Sequence, residues 1–494
     1  MYTFKVISLI YYIMLTRSGY IVESSHELKR ELTVRATVND DYGFPPPPFK
    51  VFRPTKTGIC VPRYFGISKF GAPNEDKRPT PTRISTKFNG TLRDSTRQVE
   101  AFNKAIEAGH GILSLPCGFG KTTVALAVAC KLGYRTMIVV HKEFLANQWK
   151  ERIKQFCPGA TIGVVQQNKK EVDCDFVIAM LQSLSLKEYS FGDFDSIGTM
   201  IVDEAHHICA KVFSQSLFKI VPNHIFGLSA TPFRKDGLTK VLHWFMGDTF
   251  FSIERKNQDD VDVFPIEFNC DRFTDPPPCS RFGKLSLPTL ITELTEMRQR
   301  NIVIVKLLNT LLKTTRQILV LSDRRFHCEL LHQSFPKSSG LYMGGMKEEK
   351  LNESSKKRII FATYSLAHEG LDIPSLDTVI LATPKSDIVQ SIGRIMRETK
   401  GKKNNPQIYD MFDQWSVCFA MYNKRLRVYR QGGFNIPKSK EEPKDTDMFS
   451  KGTCFIDIYS NFTIFSGMVK LNVYFLTASM TARHKTPAMK KSTT

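Results

Sequence analysis

The sequence predicts an α/β protein with two tandem parallel-sheet lobes, a small N-terminal domain ahead of them and a basic C-terminal extension. Three observations lead there. From about residue 92, short apolar runs alternate with amphipathic stretches; strands alternating with helices give a parallel sheet covered on both faces. The rhythm stops in a stretch containing DPPP and resumes beyond it, which divides the sheet-forming material in two. The chain has 494 residues, 42% of them hydrophobic, enough material for two to four cores.

Residues 1–91 are rich in proline and turns, with GFPPPPF at 43–49 and short β-like runs, and read as an N-terminal accessory domain. The apolar run Val6 to Leu15 is too short to span a bilayer and lacks a cleavage site, so it reads as a buried strand. Residues 92–250 form the first lobe. Strands are expected at 111–115, 136–140, 176–180 and 199–203, and helices at 121–132 and 144–156. Residues 251–286 show little periodicity and read as a linker or insertion. The second lobe, 287–435, opens with one long helix over 292–313 and continues with strands at 317–322, 358–363 and 378–383. Residues 436–494 form the extension. The last 74 residues carry 13 Lys and Arg against 5 Asp and Glu and are expected to be partly disordered.

The net charge of +21 concentrates polyanions near the surface and points to a nucleic-acid partner. Eleven cysteines without a CxxC pair indicate free thiols in a reducing, cytoplasmic compartment. No segment reads as a membrane span.

The chemistry starts at SLPCGFGKTT, residues 114–123, between a strand and a helix. Gly118 and Gly120 allow a turn whose successive N–H groups face an anion, and the helix start adds positive charge. Lys121 supplies a point charge for the β- and γ-phosphates, and Thr122 an oxygen for Mg²⁺. The general phosphate-loop pattern asks for glycine at position 115, where this chain has Leu115. The pentad alone also fits a helix-capping turn. TMIVDEAHH, residues 199–207, then sets two carboxylates at the end of an apolar strand, 82 residues after Lys121. That is the sheet edge where open α/β folds bind ligands. Asp203 is suited to hold Mg²⁺, and Glu204 to orient and deprotonate an attacking water. A triphosphate with Mg²⁺ is the expected ligand of such a pair of motifs.

These residues resemble the superfamily 2 helicases, and the resemblance implies two RecA-like lobes with ATP between them. It implies that Gln98, in RQVEAF, reads adenine. It places Gln148, in FLANQW, and Ser183, in MLQSL, against nucleic acid, while Trp149 reads as core packing. Ser229 and Thr231, in SAT, match the motif that couples the nucleotide site to the nucleic-acid groove. In the second lobe, IIFATYSLAHEGLDIP implies a phosphate contact at Thr363 and nucleotide contacts at Gly370 and Asp372. QSIGRIMR places Gln390 at the nucleotide and Arg394 and Arg397 as charges on the transferring phosphoryl group, Arg397 being the arginine finger. Such a finger is worth about 10³–10⁵ in rate.

LPCGFGKT, SATPFRKDG, EGLDIP and DIVQSIGRIMRE are most similar to two groups. One is the transcript-release helicases of large cytoplasmic DNA viruses, of poxvirus and asfarvirus type. The other is the helicase subunit of the transcription/repair factor. KVFRPTKTGICVPRYFG and the 408–434 segment are similar to the viral branch, which Leu115 also suits. This implies a DNA-dependent ATPase and translocase on single- or double-stranded DNA, a role in viral transcription, nascent RNA, RNA polymerase or transcription factors as partners, and the host cytoplasm, viral factory or virion as location. Three alternatives stay open: an RNA-directed helicase, an ATP-switched nucleic-acid clamp and a polymerase-associated scaffold.

Overall fold

The strands of both lobes are apolar at consecutive positions because both faces of each sheet are covered. In Thr136–Val140, Met137 and Val139 join one buried cluster while Ile138 and Val140 join another. In Ile318–Ser322, Ile318 and Val320 face one cluster, and Leu319 and Leu321 the other. Each such side chain contributes roughly 1.5–3 kcal/mol on leaving water, so these runs fix the sheets. The computed structural model describes residues 13–37, 46–116, 118–209, 211–230, 234, 236–253, 260–273, 285–369, 371, 373–393, 395, 404–436 and 469–472.

The first-lobe sheet runs Lys169–Lys170, Ile162–Gln166, Phe176–Met180, Thr136–Val140, Thr199–Val202, His224–Ser229, Gly111–Ser114, Thr249–Ser252. All neighbours are parallel except the first pair. The strand before the phosphate loop is thus separated from the strand before the acidic pair by one strand, His224–Ser229. The second-lobe sheet runs Ser339–Tyr342, Ile359–Thr363, Ile318–Ser322, Thr378–Leu381, Gln407–Asp413, Asp262–Asn269, Val469–Asn472, and is parallel throughout.

Two expectations need correction. The stretch 251–286 was expected to be a linker or insertion, yet it contains the eight-residue strand Asp262–Asn269, which pairs with Gln407–Asp413 along seven residues. Pro265 disguises it, since proline argues against an inner strand. On the other edge Asn435 bridges to Asp262 and strand Val469–Asn472 pairs from Ile266 onward, so Pro265 falls between the two. The single helix expected over 292–313 is two helices, Leu287–Glu296 and Arg298–Leu312. Met297 between them is extended (φ −68°, ψ 109°) and buried. Its burial in the core and the bonds of Arg300 hold the break without glycine or proline.

The N-terminal region forms a five-stranded sheet in the order Arg53–Pro54, Ile59–Val61, Gly19–Val22, Met14–Thr16, Glu75–Asp76. It docks on the first lobe. Arg63 donates to the carbonyls of Pro222 and Asn223 at 3.0 and 3.1 Å, and Phe65 meets Trp244 edge to face. Of the expected strand Val6–Leu15, residues 6–12 lie outside the described residues, and Met14–Thr16 is a strand. Of the extension 436–494, only Ile436 and the strand Val469–Asn472 are described. The described cysteines are all free thiols. Among the described residues no helix is long and apolar enough to cross a membrane.

Candidate nucleotide site

The phosphate loop follows from its glycines. Gly118 and Gly120 have φ of 88° and 82°, in the left-handed region where a side chain is strained. A Cβ on Gly120 would stand 2.5 Å from the Gln98 amide nitrogen, so only glycine fits. Helix Lys121–Leu132 starts there, with its N–H groups and positive end at the loop, an arrangement made for phosphate. Leu115, where the general pattern has glycine, is fully buried, and its N–H donates to the Ser229 carbonyl at 3.1 Å. It therefore extends the sheet by one residue before the turn. Gln98 is buried; its Nε2 donates to Phe119 O at 2.8 Å and its Oε1 accepts from Arg93 N at 3.0 Å. The side chain expected to read adenine is thus also a fastener of the phosphate loop.

Asp203 and Glu204 follow strand Thr199–Val202, and Glu204 adopts a left-handed backbone with φ 46°. For a residue other than glycine this costs about 1–3 kcal/mol, and such strain gathers at functional sites. Lys121 Nζ stands 3.8 Å from Glu204 Oε1, so the loop and the acidic pair share one pocket edge. Burial, and then the Glu204 charge, push the Asp203 carboxyl above the usual carboxylate range; Lys121 and the Trp149 N–H work against that rise. Trp149 is buried, as core packing requires, but its indole nitrogen also donates to Asp203 Oδ2 at 2.9 Å. Nothing in the sequence signals that bond, which spans 54 residues.

His206 connects this pair to the next motif. Its Nδ1 lies 3.4 Å from the hydroxyl of fully buried Ser229 and 3.5 Å from Glu204 Oε2. Burial pushes the ring down to about 4, so it is neutral at pH 7. Arg234 donates to the His206 carbonyl at 2.6 Å and pairs with Asp236, a role sequence reading missed. Thr122 is the second residue of its helix and only partly exposed. Its hydroxyl and the Asp203 carboxylate are hard oxygen donors, and each Asp203 oxygen keeps a lone pair beyond its one hydrogen bond. These donors fit Mg²⁺, which keeps waters and phosphate oxygens as ligands. Among the described residues no cluster of three His, Cys, Asp or Glu could cage a metal alone.

The remaining candidates are spread along both sheets. Gln148 is half-buried on helix Glu143–Phe156. Ser183 Oγ, on Leu181–Leu186, accepts from Gln167 N at 3.0 Å. Thr363, nearly buried, ends strand Ile359–Thr363 with its hydroxyl 3.3 Å from that of Ser365. Gln390 lies on the short helix Val389–Ile392. Thr231, Gly370, Asp372, Arg394 and Arg397 lie outside the described residues, as does the Gln390 side chain.

Comparison with known proteins agrees with this geometry. The family model described as the Type III restriction enzyme, res subunit, matches residues 91–234, and that of the helicase conserved C-terminal domain matches residues 286–399. A candidate ATP-dependent RNA helicase of Acanthamoeba polyphaga mimivirus is 34% identical over 456 residues, 86% of each chain. A candidate helicase of Invertebrate iridescent virus 6 is 30% identical over 71% of this chain and 83% of its own. A candidate ATP-dependent RNA helicase of African swine fever virus is 24% identical over 69% of this chain and 72% of its own.

Proposed function

Because this chain belongs to the superfamily 2 helicases of large DNA viruses and is an ATP-dependent helicase, we propose that it is a DNA-stimulated ATPase. In this reading it moves along DNA during viral transcription, at transcript release or elongation. One observation carries the proposal: Lys121, Asp203 and Glu204 meet on a single sheet edge, with His206 reaching from that edge to Ser229. Residues 92–250 and 287–435 serve as the two motor lobes, with strand Asp262–Asn269 adding to the sheet of the second, 1–91 as the accessory domain and 436–494 as the extension. RNA polymerase or transcription factors are the proposed protein partners, and the cytoplasm the compartment.

The N–H groups from Gly118 to Lys121 hold the β- and γ-phosphates, and Gln98 serves the adenine side. Thr122 and Asp203 would hold Mg²⁺, which would offset the negative charge of the phosphates. Glu204 orients the attacking water and takes its proton. From the second lobe, Gly370, Asp372 and Gln390 approach the nucleotide, and Arg397, supported by Arg394, stabilises the charge of the transferring phosphoryl group. Gln148, Ser183 and Thr363 face the nucleic-acid backbone, and Ser229 and Thr231 couple the two sites. Phosphate contacts of this kind make binding salt-sensitive and largely sequence-independent.

An RNA-directed helicase is the second reading, favoured by the names of the mimivirus and African swine fever virus relatives. ATP turnover with single-stranded DNA, double-stranded DNA and RNA separates the two. DNA stimulation exceeding RNA stimulation is expected; equal or greater stimulation by RNA removes the DNA assignment. In the same assay Arg397→Ala should lower turnover by about 10³–10⁵ with ATP binding retained. Turnover close to that of the unaltered protein would take Arg397 out of the site.

A further inference from the structure

The acidic pair and helix Leu181–Leu186 stand at the ends of different strands, Thr199–Val202 and Phe176–Met180, with Thr136–Val140 between them. A row of contacts crosses that gap, three imidazoles and then a backbone carbonyl. Glu204 Oε2 lies 3.5 Å from His206 Nδ1. The His206 and His207 rings have centroids 4.3 Å apart, and His207 and His141 4.0 Å, with interplanar angles of 36° and 34°. His141 is the residue after Val140 and is buried. Its carbonyl accepts a 2.7 Å bond from Nε2 of Gln182, an exposed residue in the first turn of Leu181–Leu186.

Three successive imidazoles line this gap, His141 buried and His206 and His207 partly exposed. Tilted rings with centroids about 4 Å apart leave one another little room to move independently, so a shift of the His141 backbone at Gln182 is passed through them toward Glu204. Leu186, at the other end of the same short helix, is 71% exposed, and the helix therefore has a surface on which a strand can bear.

We propose that Gln182, His141, His207 and His206 form a positioning relay through which nucleic acid lying on helix Leu181–Leu186 sets Glu204 and raises ATP turnover. This rests on the reading of that helix as a nucleic-acid contact. His207 and Gln182 touch no reacting atom; they are positioning residues, and their removal should change stimulation rather than basal turnover.

The test uses the full chain with oligo(dT) and oligo(U) as probes, and measures basal and stimulated ATP turnover for His207→Ala, His207→Phe, Gln182→Ala and the double variant His207→Ala/Gln182→Ala. Basal turnover should stay within about twofold, and stimulated turnover should fall about three- to tenfold in each alanine variant. The double variant should be no worse than the weaker single one, because both break one row. His207→Phe, which keeps a ring in the stack, should restore most of the stimulation. Full stimulation in folded Gln182→Ala and His207→Ala, equal loss of basal and stimulated rates, additive losses, or failure of His207→Phe to restore would each overturn the relay. If His207→Ala does not fold, Gln182→Ala at its exposed position carries the test. An unaltered protein that neither probe stimulates would remove the nucleic-acid reading of the helix and the relay with it, an outcome distinct from variants that fail within a stimulated background.

Discussion

The two lobes put buried charge to opposite uses. In the first, Lys121 and Glu204 stand 3.8 Å apart, and burial beside Glu204 pushes the Asp203 carboxyl upward. In the second, Arg300 and Asp413 are both fully buried and closely joined, Nε and Nη2 donating at 2.7 and 3.1 Å while Nη1 donates to Ala382 O at 2.6 Å. Arg425 does the same with Asp410, donates to Lys385 O at 2.6 Å, and is joined on that carboxylate by the Tyr429 hydroxyl at 2.8 Å. Tyr364 adds a bond to Thr383 O at 3.0 Å. Three carbonyls of the turn leaving strand Thr378–Leu381 are thus held by buried side chains. Charge with its hydrogen bonds satisfied is scaffold. Charge crowded together at a strand end is ready to be relieved by a ligand.

The strongest way to break this contrast is Glu204→Gln. It removes one of two crowded negative charges and the proposed base, so turnover should fall by about 10²–10⁴. Folding stability should not fall, because Asp203 loses a repelling neighbour. ATP hydrolysis and thermal melting of one preparation decide the matter. A variant that turns over normally, or one that melts well below the parent, would put Glu204 among the scaffold charges.

The second lobe should answer the reverse way. Asp410→Asn leaves the Arg425 guanidinium buried without its counter-charge, and removing one partner of a buried pair costs on the order of 3 kcal/mol. Denaturant unfolding should show that loss, while the ATP affinity of the protein that remains folded changes little. An unchanged midpoint would mean that water or another group satisfies Arg425, and the scaffold reading of this pair would fall.

Most of the sheet strands, the phosphate loop and the acidic pair were legible because each is written in a continuous stretch. TMIVV and FVIAM are strands because every residue is apolar enough for two covered faces, and GFGKT, which alone also fits a helix-capping turn, is read together with the acidic pair 82 residues on. What was not legible depends on partners far along the chain. Arg300 meets Asp413 across 113 residues, and Arg425 reaches a turn 40 residues earlier. The break at Met297 carries no glycine or proline, and strand Asp262–Asn269 hides behind Pro265. Leu115 was read as a departure from a pattern, yet its burial and its bond to Ser229 make it the last residue of the strand pairing.

Trp149 belongs to both halves of the contrast, since it is core by burial and site by its N–H. Trp149→Phe keeps an aromatic ring there but removes the donor to Asp203 Oδ2. One donor to a carboxylate is worth about 1.5–3 kcal/mol, so the effect should be the smallest of the three. Its sign is definite. That bond favours the ionised carboxylate, whose affinity for protons is already raised by burial and Glu204; without it the Asp203 carboxyl rises further. Asp203 must be ionised to hold a cation, so the acid limb of kcat/KM against pH should move to higher pH. Well above that limb the rate should lie within a few-fold of the parent. A rate lowered equally at every pH, with the limb unmoved, would mean that Trp149 acts on the site only as packing.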